Sequence, residues 1–189
     1  LLKYFYKKGN IKTSGIDPAE NLLSKKIKKK YSIISDFFSY KNAKKYFKNK
    51  YDFIIARNVL ANVEDQNEII EGANSLSKKG TVLVIEVAHL LTIYNEHKKR
   101  ITNSLVKFKD FQYKANFELD KSKNLADFDE TFKDDTSGHV RQNKHKLYME
   151  TQKQILSVAK NIGFILQGKI DMVTTQYQYQ YLYLLYKPE

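Results

Sequence analysis

Two apolar segments rich in β-branched residues dominate the hydrophobic pattern of the chain and predict buried strands over residues 51–58 and 81–87. Between them, Asp65 can cap the start of a helix, and Glu68, three residues later, can complete a capping box with it. Two lysines followed by Gly80 predict where this helix ends. The three elements form one strand–helix–strand unit, and the carboxyl ends of its strands should line a binding crevice.

The same alternation of strands and helices continues before and after this unit. Before it, the pattern predicts helices over residues 1–8, 18–30 and 42–48, and strands over 11–17 and 31–35. After it, the pattern predicts a helix over 151–161 and strands over 164–172 and 179–186. Strands that alternate with helices of this length predict right-handed crossovers and an α/β fold with a doubly wound, mostly parallel sheet.

Residues 89–148 interrupt the alternation. This segment is charged and aromatic and almost without Gly or Pro, and it predicts a helical stretch over 91–108 and no strong strand. Insertions of this length between regular elements are usually functional, so we expect a lid over the substrate site. With no linker and no internal repeat, residues 1–189 are expected to form a single domain.

The composition excludes several kinds of site. The chain has no cysteine, so it can form neither a disulfide framework nor a thiolate metal site, and its four histidines lack the spacing of a zinc site. No metal site is therefore predicted.

No apolar run approaches the ~18 residues that a membrane span needs, and the first residues lack the apolar core of a signal peptide. A cytoplasmic location is the expectation.

The formal net charge of +12 raises nucleic acid as a partner. However, 30 of the 33 basic residues are Lys, and proteins that read bases rely more on Arg. A small molecule is therefore the favoured substrate, with RNA kept as the alternative.

Residues at the predicted strand ends form an ordered series that resembles class I S-adenosylmethionine-dependent methyltransferases. The series consists of Gly15-Ile16-Asp17-Pro18, Ser35-Asp36-Phe37, the nine residues 52–60, the eight residues 80–87, and Ile162-Gly163-Phe164. The resemblance covers most of the chain outside the insertion. It implies a Rossmann-like fold with an antiparallel last strand, S-adenosylmethionine as cofactor and methyl transfer as the reaction.

The same resemblance implies roles for five residues. Asp17 would hold the two ribose hydroxyls of the cofactor, because a carboxylate offers two acceptor oxygens. Asp36 would accept from the adenine amino group, with Phe37 against the base. Arg57 and Asn58 match the segment that passes under the methionine end of the cofactor.

Two further segments resemble those of sugar C-methyltransferases and their relatives. Residues 58–65 are similar to one of these segments, although Asn62 stands where those enzymes commonly carry His. Residues 93–97 resemble an Ile-Tyr-His-Glu-His segment, with Asn95 at one His position. The last His of that segment is thought to act as a base, which makes His97 a catalytic candidate. C-methylation of a sugar or related metabolite is the implied reaction.

The insertion contains two more catalytic candidates. His139 could act as a general base because histidine titrates near neutral pH. Arg141 beside it could bind a substrate carboxylate or phosphate in a bidentate contact.

Several of these assignments have structural alternatives that the residues alone leave open. The alternative for Asp17 is a turn-forming residue before Pro18, and the alternative for Asp36 is the cap of the following helix. His97 and His139 could be surface or lid histidines without a chemical role.

The glycine-rich loop that follows the first strand of this family has no counterpart in the chain, which contains seven glycines in all. The first residues look like the helix that follows that loop. We therefore expect the first, central strand of the sheet to be missing, which would leave two unpaired edges or force the strands on either side of it to pair directly. A truncated and inactive fragment of a methyltransferase is the third hypothesis, beside the small-molecule and RNA enzymes. The oligomeric state is not predicted.

Overall fold

The helices and strands of the computed structural model are described for residues 2–9, 11–19, 27, 31–89, 92–93, 95, 104–175 and 178–188. In this part of the chain the α-helices are α1 (Leu2–Lys7), α2 (Tyr40–Tyr46), α3 (Gln66–Leu76) and α4 (Gln152–Asn161). The strands are β1 (Gly15–Ile16), β2 (Ile33–Ile34), β3 (Tyr51–Ala56), β4 (Ser77–Ala88), β5 (Ser104–Lys107), β6 (Phe111–Asp120), β7 (Leu125–Asp134), β8 (Val140–Tyr148), β9 (Ile165–Asp171) and β10 (Gln180–Tyr186). Short 3-10 helices occupy Leu60–Asn62 and Val173–Thr175.

The main sheet has the strand order β3-β4-β10-β9. Strands β3 and β4 are parallel, as the strand–helix–strand unit predicts, and β10 runs antiparallel to both β4 and β9. The prediction of an antiparallel last strand is therefore confirmed. Strands β1 and β2 form a separate parallel pair. The sheet is less parallel than predicted, because only one of the three pairings in the main sheet is parallel.

The core lies between the main sheet and helices α3 and α4. Strand β4 is buried along most of its length, which explains its continuous apolar sequence. Its side chains meet Ile69 and Ile70 of α3, Ile155 of α4 and Tyr183 of β10 in one buried cluster. In the described part of the chain, every helix is too short or too polar to span a bilayer.

The two ends of α3 differ from the prediction in detail. Asp65 caps the helix, and its carboxylate accepts the Asn67 N–H at 2.9 Å. The predicted capping box with Glu68 is wrong, because the Glu68 carboxylate instead accepts the N–H of Tyr40 at 2.9 Å and so ties α2 to α3. The helix ends at Leu76, before the predicted lysines. Gly80 has the left-handed φ of 80° that was expected, but it lies inside β4.

A second sheet, in the order β5-β6-β7-β8, is antiparallel throughout and fills residues 104–148. The prediction of an insertion without strands is therefore wrong: residues 104–107 of the predicted helix over 91–108 form β5, whereas residues 92, 93 and 95 are helical, and most of the remainder lies outside the described residues. The signal that was missed is the alternation in β6, where Tyr113, Ala115 and Phe117 share the more buried face with polar residues between them.

The other predicted elements are present with shorter or slightly shifted bounds, except the helix over 18–30, which lies largely outside the described residues. Strands β1 and β3 belong to different sheets. The absence of a central strand between them stays a prediction.

Gly72 marks the closest approach of α3 to the segment before α2. A Cβ at this position would lie 3.0 Å from the Phe38 ring and 3.2 Å from the backbone carbon of Ser39. We expect Gly72→Ala to lower the free energy of unfolding by about 1 kcal/mol, because an overpacking cost of ~1–3 kcal/mol exceeds the ~1 kcal/mol gained in helix propensity. Chemical denaturation measures the change.

The matched control is Gly168→Ala in β9, where a Cβ would meet the Leu184 Cβ at an ordinary 3.9 Å. That variant should be neutral or slightly stabilising. A Gly72→Ala protein at least as stable as the control would show that the contact between the segments is loose.

Candidate functional site

A cavity of about 270 Å³ lies at the carboxyl ends of β3 and β4, where the strand order predicts a binding crevice. The described residues that line it are Asn58, Val59, Leu60, Ala61, Asn62, Gln66, Glu86, Val87, Ala88, Tyr148, Glu150, Ile155 and Gln180. Four parts of the chain therefore meet there: the segment after β3, the end of β4, the region from the end of β8 into α4, and the start of β10.

An ion pair joins the ends of β3 and β4 beside this cavity. The Arg57 Nε donates to the Glu86 carboxylate at 2.5 Å. The Glu86 side chain is only 4% exposed, whereas that of Arg57 is 42% exposed. The guanidinium therefore supplies the counter-charge that a buried carboxylate needs. Arg57 itself does not line the cavity, but its neighbour Asn58 does.

Asn58 turns the chain out of β3 with a left-handed φ of 53°, a conformation that Asn adopts more readily than most residues. Its carbonyl oxygen accepts a hydrogen bond from the Asn62 amide nitrogen at 2.9 Å. This bond fixes the turn between β3 and the 3-10 helix, and both asparagines line the cavity.

Asp17 and Asp36 follow two neighbouring parallel strands, so both residues lie at the carboxyl end of the β1–β2 pair. The Asp17 N–H donates to the Ile34 carbonyl at 3.0 Å. One carboxylate oxygen of Asp17 accepts the Ala19 N–H at 2.8 Å, as a turn-forming Asp would. Its other oxygen has no partner among the described residues.

Asp36 does not cap α2, because Ser39 occupies that position. Its two carboxylate oxygens instead accept the Tyr46 hydroxyl at 2.7 Å and the Phe37 N–H at 2.8 Å. The Tyr46 hydrogen bond, followed by that from Phe37, holds the pKa of Asp36 below its usual value. This carboxylate is thus kept charged and oriented, and it can accept a further hydrogen bond.

Phe37 is 66% exposed, which is high for a large apolar side chain. Phe37 comes directly after Asp36, whose carboxylate is held by two hydrogen bonds, and Asp17 follows the neighbouring strand. An exposed ring can stack on a planar group, and the two carboxylates can accept from hydroxyl or amino groups. These residues fit a nucleoside.

His89 follows the last residue of β4, beside Ala88 of the cavity lining. Its ring lies 4.8 Å from that of Tyr181, and its Nε2 is buried without a hydrogen-bond partner. Burial lowers the pKa of His89, and a hydrogen bond with Gln152 opposes this effect in part. A neutral imidazole with a free nitrogen can accept a proton. His89 is not among the described residues that line the cavity, and its free nitrogen is buried, so it would support the site from behind the lining.

The structure places the other predicted catalytic residues elsewhere or does not describe them. His139 and Arg141 are exposed at the beginning of β8, and the Arg141 Nε donates to Asn143 at 3.2 Å. Tyr148, which lines the cavity, lies seven residues further along β8. At ~3.3 Å per residue, about 23 Å separates Arg141 from Tyr148, so within one chain Arg141 does not reach the cavity. His97 lies outside the described residues.

A larger cavity of about 420 Å³ lies at the opposite, amino ends of the strands, lined by Ser14, Ser32, Ile33, Ile34, Tyr46, Phe47, Lys48, Asn49 and Tyr51. Its position is not where ligands bind in sheets of this type. Among the described residues, no group of three or more His, Asp or Glu could hold a metal ion.

A sequence model of a family described as "Methyltransferase domain" matches residues 1–164. No curated protein sequence matches the chain. An S-adenosylmethionine-dependent methyltransferase from Clostridium acetobutylicum ATCC 824 has a similar solved structure, with 13% identity and a TM-score of 0.72. That match covers 94% of this chain and 76% of the other.

Two further similar structures are sugar-directed enzymes by name. The sugar N-methyltransferase KedS8 from Streptoalloteichus sp. is 12% identical, with a TM-score of 0.62, covering 100% of this chain and 85% of the other. The amino pentose methyltransferase CalS10 from Micromonospora echinaspora, solved with S-adenosylmethionine bound, is 11% identical, with a TM-score of 0.52, covering 75% and 60%. At these identities, the likeness shows the fold.

Proposed function

The chain belongs to the family of methyltransferase domains, and we propose that it transfers a methyl group from S-adenosylmethionine to a small-molecule acceptor. The observation that carries this proposal is the placement of Asp17, Asp36 and Phe37 at the ends of two neighbouring strands. The carboxylates and the exposed ring offer the contacts that a ribose and an adenine need.

The remaining parts of the proposed site lie at the ends of β3 and β4. Asn58 and the Arg57–Glu86 pair would border the methionine end of the cofactor, and the cavity of about 270 Å³ would hold the acceptor. The cofactor, when bound, supplies a methyl group on a positively charged sulfur. The chain's own task is to position the two reactants and to exclude water.

A sugar or related metabolite is the acceptor class that we favour. Two observations support it: the cavity is lined by many polar side chains, and two structural neighbours are named as sugar-directed methyltransferases. The name of KedS8 specifies methylation at nitrogen, and the name of CalS10 specifies an amino sugar as the substrate. Methylation at carbon, which residues 58–65 suggested, is the alternative.

Isothermal titration with S-adenosylhomocysteine tests the proposed cofactor site. We expect binding by the unaltered chain and an affinity about 10-fold lower or more for Asp17→Asn, because a hydrogen bond to a charged group contributes ~1.5–3 kcal/mol. The control is Asp171→Asn, since the Asp171 carboxylate accepts the Val173 N–H at 3.0 Å in a similar turn, but after β9. A folded chain that does not bind millimolar S-adenosylhomocysteine would contradict the proposal.

A further inference from the structure

The charge of the cavity at the ends of β3 and β4 is opposite to that of the chain. The chain carries 33 basic residues and a net charge of +12, yet no Lys, Arg or His is among the described residues that line this cavity. Two glutamates line it, and Arg57 neutralises one of them, Glu86. The other, Glu150, has no ion-pair or hydrogen-bond partner among the described residues. The described lining therefore carries an uncompensated negative charge.

The amide side chains of the lining add hydrogen-bond acceptors to this charge. The Asn62 amide nitrogen donates to the Asn58 carbonyl at 2.9 Å, and that of Gln66 donates to the Leu60 carbonyl at 3.3 Å. The backbone engages one N–H of each amide group and so fixes its orientation, and the side-chain oxygens of both residues remain to accept from a ligand. The cavity thus suits a molecule that donates hydrogen bonds and carries positive charge.

Glu150 is held in place from both sides. Met149 before it is buried with Phe117 and Ala126, and its N–H donates to the Asn124 carbonyl at 2.7 Å. Thr151 after it caps α4 in a capping box. The backbone of Glu150 is therefore fixed on both sides, which sets the region that its carboxylate can reach.

Resting on the proposed function, we infer that the methyl acceptor is a small hydroxylated amine and that Glu150 binds its ammonium group. A volume of about 270 Å³ lies just below the ~300–1,000 Å³ of sites for drug-sized ligands, so it suits one monosaccharide-sized molecule. A carboxylate accepts a hydrogen bond from either an ammonium group or the neutral hydroxyl that replaces it in a simple sugar, but only the ammonium group adds the attraction of opposite charges. Glu150 is therefore a specificity-determining residue.

The test compares the binding of 2-amino-2-deoxyglucose and of glucose by isothermal titration, with and without saturating S-adenosylhomocysteine. We expect the unaltered chain to prefer the amino sugar by about 5-fold or more, since the attraction between two unit charges ~4 Å apart contributes about 1 kcal/mol even in water. Glu150→Gln should reduce this preference to less than about 2-fold. Raising the pH until the amine loses its proton should reduce it as well.

Glu71→Gln is the matched control, because Glu71 is exposed on α3 and does not line the cavity. It should leave the preference unchanged. Equal binding of both sugars by the unaltered chain would overturn the inference, and if S-adenosylhomocysteine still binds, the proposed function stands. Failure of the chain to bind S-adenosylhomocysteine would contradict the proposed function. In that case, titration of the two sugars in the absence of S-adenosylhomocysteine still shows whether the chain prefers the amine. A Glu150→Gln chain that is less stable but equally selective would show that Glu150 only favours the N-terminus of α4, which also overturns the inference.

Discussion

Replacing Arg57 by Met is expected to lower the free energy of unfolding by about 2–4 kcal/mol. The Glu86 carboxylate is 4% exposed, and Arg57 is its only partner among the described residues. Removing one member of a buried pair leaves an uncompensated buried charge, at a cost of ~3–5 kcal/mol. We place the effect slightly lower because Arg57 is 42% exposed and water screens part of the interaction. Thermal unfolding should show a decrease in Tm of about 4–16 °C.

A double-mutant cycle isolates the pair from other effects of the substitution. The variant Arg57→Met with Glu86→Gln carries no buried charge, so it should recover most of the lost stability. Lys78→Met is the control: Lys78 also forms an ion pair at 2.5 Å, with Asp52, but these side chains are 49% and 84% exposed. That variant should stay within about 0.5 kcal/mol of the unaltered chain. Equal effects of Arg57→Met and Lys78→Met would show that the burial of Glu86 does not matter.

Local patterns in the sequence were enough to predict the buried centre of the fold. Strand β4 reads as a continuous apolar run because both of its faces are covered, and α4 is bounded by the capping residue Thr151 and by Gly163, whose φ is 97°. Elements of this kind are specified by neighbours in the sequence. The strand ends that hold Asp17, Asp36, Arg57 and Asn58 follow from the same local patterns.

The second sheet was not predicted because the alternation of apolar and polar residues along its strands is weak. Strand β7 alternates as β6 does, but Glu130 occupies a position on the inward face, between Phe128 and Phe132. Its carboxylate accepts the Tyr113 hydroxyl at 2.7 Å and lies 3.1 Å from the His145 Nε2. A charged residue satisfied by partners on neighbouring strands breaks the apolar period, and those partners cannot be identified before the strand pairing is known.

The acceptor side of the proposed site depends on a contact between distant parts of the chain. Tyr148 and Glu150 line the same cavity as Asn58 and Asn62, although more than 80 residues separate the two pairs in the sequence. No local pattern brings β8 to the 3-10 helix after β3. The family resemblance therefore found the proposed cofactor residues and the strand-end rule found the crevice, whereas Tyr148 and Glu150 required the three-dimensional structure.

Replacing Tyr183 by Phe is expected to stabilise the chain, by about 1 kcal/mol near neutral pH. Tyr183 is 0% exposed, and its hydroxyl is buried without a hydrogen-bond partner. An unsatisfied buried polar group costs ~1–3 kcal/mol, and Phe keeps the ring that packs in the core without this group. The small space left by the oxygen offsets part of the gain. Chemical denaturation of the two proteins at pH 7 measures the difference.

The same substitution should change the stability at alkaline pH. Burial raises the pKa of Tyr183 from 10.0 to about 12. The folded state therefore keeps the proton between about pH 10 and 12, whereas the unfolded state releases it, so the free energy of unfolding falls as the pH rises through this range. A shift of about two pKa units corresponds to ~2.7 kcal/mol. The Tyr183→Phe chain lacks this contribution, and its advantage over the unaltered chain should grow from pH 10 to 12.

Tyr113→Phe is the matched control for the effect at neutral pH. Burial also raises the pKa of Tyr113 to about 12, but its hydroxyl donates to the Glu130 carboxylate at 2.7 Å. Removing this hydroxyl should destabilise the chain by about 1–2 kcal/mol at pH 7, since a partly buried carboxylate loses a donor. At pH 7, the changes in the free energy of unfolding caused by the two Tyr→Phe substitutions should therefore have opposite signs. As the pH rises above 10, both variants should lose less stability than the unaltered chain does. Destabilisation by Tyr183→Phe at pH 7 would mean that the buried hydroxyl has a hydrogen-bond partner in solution, such as an internal water molecule.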